Sequence, residues 1–277
     1  MKNKTIFQNL SLLAVIAATA LLAACASDKP EGELNGTVGT LYNDGMDNIQ
    51  NKKYPAAVHD FEELDRQYPY SGWATRGQVM TAYAQMLNED YDESGATIER
   101  FVKMHPGHQS LPYMYYLAGL NHYYQMTDVN RDQSETQQAM DAFNEVVNRF
   151  PQSPYARDAK LKITLCTDHL AGKEMTIGRY YQGQKMHLAA INRFRNVVQN
   201  YQTSSQTPEA LYRLTESYLS LGVTDEAVRA ASILGYNYPG SKWYSQAYDL
   251  LTARKLAPEG QKEDWAKKLA KGFKDLF

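Results

Sequence analysis

The residues of this sequence that could carry chemistry are few and scattered. His105 and His108 are three positions apart, as metal ligands can be, but Pro106 and Gly107 lie between them and no cluster of cysteines or carboxylates accompanies them. A glycine-rich phosphate loop, a nucleophile elbow and an H-E-x-x-H motif are all missing from the sequence. The two histidines therefore fit a turn better than a metal site. We expect a protein that is not an enzyme and needs no cofactor.

One cysteine has a context that predicts covalent modification. Lys2 and Lys4 precede an apolar stretch over residues 10–24, which is shorter than the roughly 20 residues of a membrane-spanning helix. The stretch ends in Leu22-Ala-Ala-Cys25, which resembles the bacterial lipobox, where the cysteine is acylated and the signal peptide is removed. We expect a signal peptide over residues 1–24 and N-acyl and S-diacylglycerol groups on Cys25. The alternatives are a transmembrane helix or a soluble exported protein.

The residues after this cysteine indicate a destination. Ala26 and Ser27 follow Cys25 in place of an aspartate, which resembles the pattern of lipoproteins forwarded to the outer membrane. Several acyl chains anchor a protein more firmly than the single chain that binds marginally. We therefore expect a lipid-anchored protein on the periplasmic face of the outer membrane. Cys166, the second of the two cysteines, is left without a disulfide partner and is predicted to be a small core residue.

Without a disulfide, the fold must be held by packing, and a packing pattern recurs along the chain. Five helical runs end on an aromatic residue or histidine, and the next position, which we name the stop, is proline in four of them. A small residue lies twelve positions before each stop, and a mostly bulky residue lies eight before it. The stops are Pro69, Pro106, Pro151, Gln202 and Pro239; the small residues are Ala57, Ser94, Ala139, Ala190 and Ala227; the bulky positions hold Phe61, Ile98, Phe143, Phe194 and Ala231.

This pattern matches the second half of the tetratricopeptide signature. The small residue lets two antiparallel helices approach, the bulky one is expected to fill the gap between repeats, and proline ends the second helix. We predict an all-α, tetratricopeptide-like helical-repeat solenoid of about five helix pairs over residues 37–252, after a lipidated linker over residues 25–36. A polar loop over residues 125–134 and one long helix over residues 161–181 explain why the repeats exceed the usual length of about 34 residues.

The segment over residues 253–277 departs from the repeat pattern. Trp265, Leu269, Phe273 and Phe277 recur every four residues among lysines, which predicts a C-terminal amphipathic helix. We expect this helix to cap the apolar face of the last repeat. The alternative is that it docks on a partner or on an anionic membrane surface.

Charge and aromatic content narrow the class of partner. The formal net charge of −2 argues against nucleic acid, which requires clustered lysine and arginine. The 21 tyrosines favour half-buried faces and protein interfaces. On the predicted concave surface of the first repeats, an extended or helical client segment could lie against aromatic rings. The client-binding candidates are Tyr42, Tyr68, Tyr70, Trp73 and Tyr83. The alternative role of each ring is packing between helices.

Three stretches of the sequence resemble a known family. They are Asp168-His-Leu-Ala-Gly-Lys-Glu-Met175, Ala189-Ala-Ile-Asn-Arg-Phe-Arg195 and Asn130-Arg-Asp-Gln-Ser134. Together with the lipobox and the five repeats they resemble the BamD lipoprotein family, from about Cys25 to Leu251. The resemblance implies an outer membrane protein assembly factor, a lipid-anchored scaffold of the β-barrel assembly complex. It also implies partners: the central barrel assembly protein, accessory lipoproteins and unfolded outer-membrane β-barrel clients that are recruited and inserted.

The resemblance also implies where partners bind. In the family the first repeats are associated with client recognition and the last repeats with holding partner subunits. Arg193 and Arg195, in the matching helix of the fourth repeat, are the implied partner-binding residues, Arg193 as an ionic contact with the central assembly protein. The alternative for Arg193 is a solvated surface arginine. The alternative function is a periplasmic tetratricopeptide lipoprotein that coordinates cell-wall synthesis or division.

Overall fold

A computed structural model describes residues 37–257 and 265–266 of the chain. Within this part the chain forms eleven long α-helices and no strand. They are α1 (Val38–Gln50), α2 (Tyr54–Gln67), α3 (Gly72–Leu87), α4 (Tyr91–Met104), α5 (Leu111–Tyr124), α6 (Ser134–Arg149), α7 (Pro154–Gly183), α8 (His187–Asn200), α9 (Thr207–Ser220), α10 (Thr224–Asn237) and α11 (Lys242–Ala253). The predicted signal peptide, Cys25, the linker over residues 25–36 and most of the predicted C-terminal helix lie outside the described residues.

The helices pack as a row of pairs. Each helix contacts the next one along the chain from α1 to α11, and odd-numbered helices also contact each other, as α1 does α3, α3 does α5, α5 does α7 and α9 does α11. The Arg179–Glu209 ion pair links α7 to α9. The odd helices therefore form one row, and the even helices lie behind it. Five pairs, α1–α2 to α9–α10, repeat this arrangement, which confirms the predicted tetratricopeptide-like solenoid.

The ends of the helices lie where local sequence signals place them. Tyr68, His105, Phe150, Tyr201 and Tyr238 are the C-cap residues of α2, α4, α6, α8 and α10. Proline follows four of these five C-cap residues, and it lacks the N–H that would continue the helix. Ser71 caps α3 by accepting a hydrogen bond from the backbone N–H of Ala74 at 3.0 Å. The predicted stops are confirmed.

The repeat register is confirmed inside the solenoid. The five small residues are completely buried, and so are four of the five bulky positions; the fifth, Ile98, is 5 % exposed. The bulky ring lies against the first helix of its own repeat, whereas the sequence pattern placed it between repeats. A Cβ atom added to Gly45 would lie 2.7 Å from the Phe61 ring, and one added to Gly119 would lie 2.5 Å from Phe143. Gly178 is similarly close to Phe194. Glycine is required at these positions because the ring occupies the space of a side chain.

Two repeats lack this glycine and have a smaller partner residue instead. At the equivalent position, sixteen residues earlier, Ala82 precedes Ile98 and Thr215 precedes Ala231. All four side chains are buried. A smaller residue on the second helix thus leaves room for a larger one on the first, as close packing of an interior requires.

The third and fourth pairs carry the irregularity that the sequence predicts. The loop between α5 and α6 spans residues 125–133, and α6 begins at Ser134 as expected. Helix α7 continues through Gly172 and Gly178 for 30 residues. It holds the loop: His169 Nε2 lies 2.7 Å from the Thr127 carbonyl oxygen, and Lys173 Nζ donates to the Asn130 carbonyl at 2.8 Å. Among the described residues, α7 included, no helix has the length and apolarity that crossing a bilayer requires.

Two described residues of the C-terminal segment pack against the end of the solenoid. Trp265 is buried, and its ring makes an edge contact with Tyr248 of α11 at 5.8 Å between centroids. The Ala266 side chain is also buried and lies beside Gly235 of α10. These contacts favour a cap on the last repeat over docking of this part of the segment elsewhere.

Candidate protein-interaction surfaces

The structure brings two of the five client-binding candidates together on the first repeats. The Tyr42 ring on α1 lies 5.1 Å from the Trp73 ring on α3 and 5.6 Å from Phe61, both edge-on. The Arg76 guanidinium carbon stands 5.2 Å from the centre of the Trp73 ring. Tyr42 is half-buried, whereas Trp73 remains 39 % exposed. Each ring therefore packs between helices, and Trp73 also offers surface to a ligand.

The other candidates lie apart from this pair. Tyr68 ends α2, is half-buried and donates its backbone N–H to the Leu64 carbonyl at 3.0 Å. Tyr70, in the turn before α3, is completely exposed. Tyr83 lies near the end of α3, where its ring contacts Tyr113 of α5 at 6.5 Å. The five candidates thus belong to three places along the row.

A tyrosine run that the sequence pattern did not predict continues this surface along the odd helices. Successive ring centroids lie 6.5 Å apart for Tyr83 and Tyr113, 5.2 Å for Tyr113 and Tyr155, and 5.4 Å for Tyr155 and Tyr116. We name these four residues the aromatic run; it crosses α3, α5 and α7. Burial raises the pKa of Tyr113 and of Tyr116 well above the ordinary value. These phenols are therefore neutral.

The aromatic run ends on a charged group. The Tyr116 hydroxyl donates a hydrogen bond to the Asp158 carboxylate, and Lys162 Nζ lies 3.7 Å from that carboxylate. The same ammonium stands 4.4 Å from the centre of the Tyr123 ring. Tyr113 and Tyr116 are three residues apart on α5, so the sequence spacing alone places these two rings on one side of the helix. Tyr155 is distant in the sequence, and only the contact of α5 with α7 brings its ring to them.

Both partner-binding candidates lie on α8 and have partners within the chain. Arg193 Nη1 lies 3.3 Å from Glu174 Oε2 on α7, and the Arg193 side chain is 42 % exposed. Arg195 donates to the Tyr218 hydroxyl of α9 at 2.8 Å. The sequence did not reveal Glu174 or Tyr218 as partners, because both contacts join different helices. The two arginines are positioned by side chains of neighbouring helices.

Two clefts flank helix α8. The first lies between α7 and α8, has a volume of about 500 Å³ and is bordered by Glu174, Tyr181 and Arg193. The second lies over α9 and α10, has a volume of about 310 Å³ and has an apolar floor that includes Leu214 and Ile233. Arg195 borders both clefts. The outer side of α8 is therefore a ridge with a cation between two depressions.

Past the aromatic run, the odd helices carry a network of ion pairs. Arg179 of α7 lies 3.2 Å from Glu209 of α9, and Arg213 pairs with Glu209 at 3.3 Å and with Glu216 at 2.8 Å. The Arg213 guanidinium also stands 5.6 Å from the Trp243 ring of α11. Burial lowers the pKa of Arg213, but the hydrogen bond and attraction to Glu216 and Glu209 outweigh it and raise that pKa. We name Arg179, Glu209, Arg213 and Glu216 the ion network.

Cys166, His105 and His108 have contacts within the chain. Cys166 is completely buried, burial raises the pKa of its thiol to about 11, and its Sγ lies 3.9 Å from Met126 Sδ. It is the core residue that the sequence predicts. His105 Nε2 lies 3.1 Å from Gln78 Oε1, and His108 Nδ1 accepts the Ser110 N–H at 3.1 Å. Within residues 37–257, no group of three or more potential ligands could hold a metal ion.

Comparison with known proteins gives matches over most of the chain. The model of the YfiO family, described as an outer membrane lipoprotein, matches residues 35–234. Outer membrane protein assembly factor BamD of Caulobacter vibrioides is 43 % identical over 249 residues, which cover 89 % of this chain and 82 % of the relative. The protein of that name from Rickettsia prowazekii is 44 % identical over 240 residues, 87 % of this chain and 96 % of the relative. That from Neisseria meningitidis serogroup A is 33 % identical over 222 residues, 76 % of this chain and 83 % of the relative.

Proposed function

The chain belongs to the BamD family of outer membrane protein assembly factors, and from that premise we propose that it is a lipid-anchored periplasmic scaffold of the β-barrel assembly complex. Its last repeats hold the central barrel assembly protein, with accessory lipoproteins as further partners, and its first repeats take unfolded β-barrel clients. Its work is binding and positioning, without catalysis or a cofactor. The observation that carries the proposal is the ridge of α8, where two oriented arginines stand beside clefts.

The anchor sets where the scaffold works. Acyl groups on Cys25 hold the chain at the outer membrane, and the linker over residues 25–36 leads to α1. A fully extended linker of this length reaches about 40 Å. The first repeats therefore stay close to the membrane in which clients are inserted.

Arg193 suits an ionic contact with the partner. Its ion pair with Glu174 uses one nitrogen, Nη1. The other edge of the guanidinium, formed by Nη2 and Nε, has the fork geometry that binds a carboxylate through two parallel hydrogen bonds. Glu174 thus orients the Arg193 guanidinium, and a partner carboxylate can accept hydrogen bonds from its Nη2 and Nε edge. Arg195, held by Tyr218, adds a second positive charge on the same helix.

The aromatic surface suits the clients. Strands of outer-membrane barrels alternate apolar and polar residues, so an extended client has one apolar face. Trp73, Tyr42 and Tyr83 present rings along the row of odd helices, against which that face can lie. Tyr68 and Tyr70 extend the surface at the turn before α3. The alternative of a lipoprotein for cell-wall synthesis or division gains no support from the relatives.

Charge reversal on α8 tests the proposal. Cells in which the native copy is depleted would express wild-type protein, Arg193→Glu, Arg195→Glu or the control Lys160→Glu, which reverses an exposed lysine on α7. We expect the acylated wild-type and control proteins to co-purify with a large β-barrel protein that has periplasmic domains. Less of this β-barrel protein should co-purify with Arg193→Glu and with Arg195→Glu, and the cells that express these variants should contain less outer-membrane protein.

The outcomes separate the two candidate functions. Equal recovery of the barrel protein with wild-type and both α8 variants would contradict the binding site. Recovery of cell-wall enzymes in place of the barrel protein would contradict the scaffold role. Circular dichroism of each variant shows that a loss of recovery does not come from unfolding.

A further inference from the structure

The buried apolar residues of the solenoid follow one pattern but divide into separate groups, and two of these groups meet on α7. Cys166 is the last α7 residue of the group that also includes α3 to α6. Ala171 is the first α7 residue of the group that extends to α11. The first part of α7 therefore packs in the interior of the second and third repeats, and its last part packs in the interior of the fourth and fifth.

The contacts of α7 with its neighbours are separated along the helix in the same way. On α3, a single residue serves both sides: Gln78 donates to Asp65 of α2 at 2.9 Å, and its Oε1 lies 3.1 Å from His105 Nε2 at the end of α4. On α7, the hydrogen bonds and ring contacts with α5 and α6 lie at residues 155–167. Those with α8 and α9 lie at residues 174–182. The two parts of the solenoid are thus joined end to end along α7.

The middle of α7 has local features that favour bending. We name residues 167–172 the α7 junction. Its last residue, Gly172, lowers helix stability relative to alanine. The Thr167 hydroxyl donates to the Ile163 carbonyl at 2.8 Å, and the Thr176 hydroxyl donates to the Gly172 carbonyl at 2.9 Å. Hydrogen bonds of this kind, from a side chain to the carbonyl four residues earlier, destabilise helices slightly and often bend them.

A long loop from the first repeats reaches across this junction. The turns inside the other four repeats have three residues each, whereas the α5–α6 loop has nine. The base of the loop is closed by His122 Nδ1 and Glu135 Oε2, which lie 2.8 Å apart. Further along the loop, Lys173 Nζ of α7 donates to the Asn130 and Arg131 carbonyls at 2.8 and 3.1 Å. The loop is therefore fixed to α5 and α6 at its base and to α7 beyond the junction.

The junction itself is held from two sides. Val129 of the loop lies against Gly172, 3.6 Å from where a Cβ would be, and His169 Nε2 lies 2.7 Å from a loop carbonyl oxygen. From the other side, the Ser205 N–H in the α8–α9 turn donates to the Asp168 carboxylate at 2.8 Å. Both parts of the solenoid thus contact the segment in which α7 is easiest to bend.

We propose that the α7 junction is a hinge between the first three repeats and the last two, and that the α5–α6 loop restrains its angle. Hinges are short segments between bodies that move as units, and the two groups of buried residues are such bodies. The angle determines how the aromatic run is oriented relative to the ion network. This inference concerns the shape of the scaffold, goes beyond the proposed function and holds whatever binds at either end.

The test measures distances by double electron–electron resonance between nitroxide labels on the acylated full chain in phospholipid nanodiscs. The cross-junction pair is Asp141→Cys on α6 with Asp225→Cys on α10, and the internal pair is Glu62→Cys on α2 with Asp141→Cys; all three sites are exposed. Cys25 is acylated and Cys166 is completely buried, so neither native cysteine takes a label. We expect narrow distance distributions for both pairs in the otherwise wild-type protein.

Releasing the loop should free the hinge. His169→Leu with Lys173→Met removes the hydrogen bonds of both side chains to the loop and keeps most of their volume. The width of the cross-junction distribution should rise about twofold or more, while the internal pair should keep its width. The matched control is Lys160→Met, which replaces an exposed lysine on the same helix before the junction and should change neither distribution.

Stiffening the helix should reverse the effect. A Cβ added at Gly172 would make only an ordinary contact with Val129 at 3.6 Å, and alanine favours the helix more than glycine does. Gly172→Ala, added to the His169 and Lys173 variant, should therefore narrow the cross-junction distribution again. A distribution that stays equally broad would place the flexible point outside the junction and overturn the proposal.

Three further outcomes would overturn the proposal. A cross-junction distribution that is already broad in the wild type would show that the loop does not restrain the angle. Equal cross-junction widths in the wild type and in the His169 and Lys173 variant would show the same. Broadening of the internal pair together with the cross-junction pair would show that this variant loosens the whole solenoid. The measurement needs no binding partner, so each of these results leaves the proposed function standing.

Discussion

The two ends of the odd-helix row share one interior and differ in their surface chemistry. From α1 to α7 the row presents rings, with the Tyr42 and Trp73 pair and the aromatic run. On α7 and α9 it presents the ion network, and Arg213 of this network stands against the Trp243 ring of α11. Behind both surfaces the same small and bulky positions are buried. The repeat pattern thus determines how helices pack and leaves the exposed positions free to suit different partners.

The shared interior can be broken at a single glycine. Gly178→Ala should lower the free energy of unfolding by about 1–3 kcal/mol, because the added Cβ collides with the Phe194 ring. Combining it with Phe194→Ile recreates the Ala82 and Ile98 pair of the second repeat and should recover part of this loss. Urea unfolding followed by circular dichroism measures both values.

The control for this substitution lies on the same helix. A Cβ at Gly183 would meet no atom within 4 Å, so Gly183→Ala should not destabilise the protein. Equal unfolding midpoints for the two alanine variants would show that close contact between helices does not require glycine at position 178.

The ion network gives the second effect. Glu209 is 15 % exposed and receives both Arg179 and Arg213. Glu209→Gln should cost about 1–2 kcal/mol of stability, less at high salt. Glu145→Gln removes an exposed ion pair with Arg149 on α6, in the third repeat. This substitution should cost less than about 0.5 kcal/mol of stability. Thermal unfolding at two salt concentrations compares the stability losses of the two variants. Equal losses would show that the ion network stabilises the protein no more than an exposed ion pair does.

The aromatic run depends less on polar contacts. Tyr116→Phe removes the donor to Asp158 and should cost about 0.5–1.5 kcal/mol. Tyr155→Phe, in the same run, keeps the stacked ring and should have almost no effect on stability. Chemical denaturation of the two variants distinguishes them. If Tyr155→Phe were the more damaging, the hydrogen bond to Asp158 would not be the polar contact that matters.

The smallest effect concerns acid stability in the first repeats. Hydrogen bonds from Arg66 and Gln67 lower the pKa of Glu63 from 4.5 to about 2. A lowered folded-state pKa stabilises the protein above pH 4.5, and this contribution disappears as the pH falls towards 2. Solvent screens the Arg66 pair, so the contribution stays below about 1 kcal/mol. The stability difference between wild type and Glu63→Gln should vanish between these pH values; a constant difference would show that these hydrogen bonds do not lower the pKa of Glu63.

The sequence predicts the interior better than the surfaces. The register of small and bulky residues, the loop before Ser134 and the continuity of α7 over residues 161–181 depend on local pattern and are confirmed. Helix α7 begins seven residues earlier than predicted, at Pro154. The aromatic run and the partners of Arg193 and Arg195 join helices that are distant in the sequence, so only the packing of odd helices reveals them. The same limit explains why Tyr70 and Tyr83 lie apart from Tyr42 and Trp73: helical spacing does not say which face is exposed.

A reciprocal binding measurement on the two ends of the solenoid tests most directly whether they bind different partners. One ligand is the periplasmic part of the barrel protein, and the other is a peptide from a strand of an outer-membrane β-barrel. Trp73→Ala should weaken peptide binding about tenfold or more and leave the barrel protein unaffected, and Arg193→Glu should do the reverse. A variant that weakens both ligands equally, or an Arg193→Glu protein that binds the barrel protein as wild type does, would contradict the division of function between the two ends.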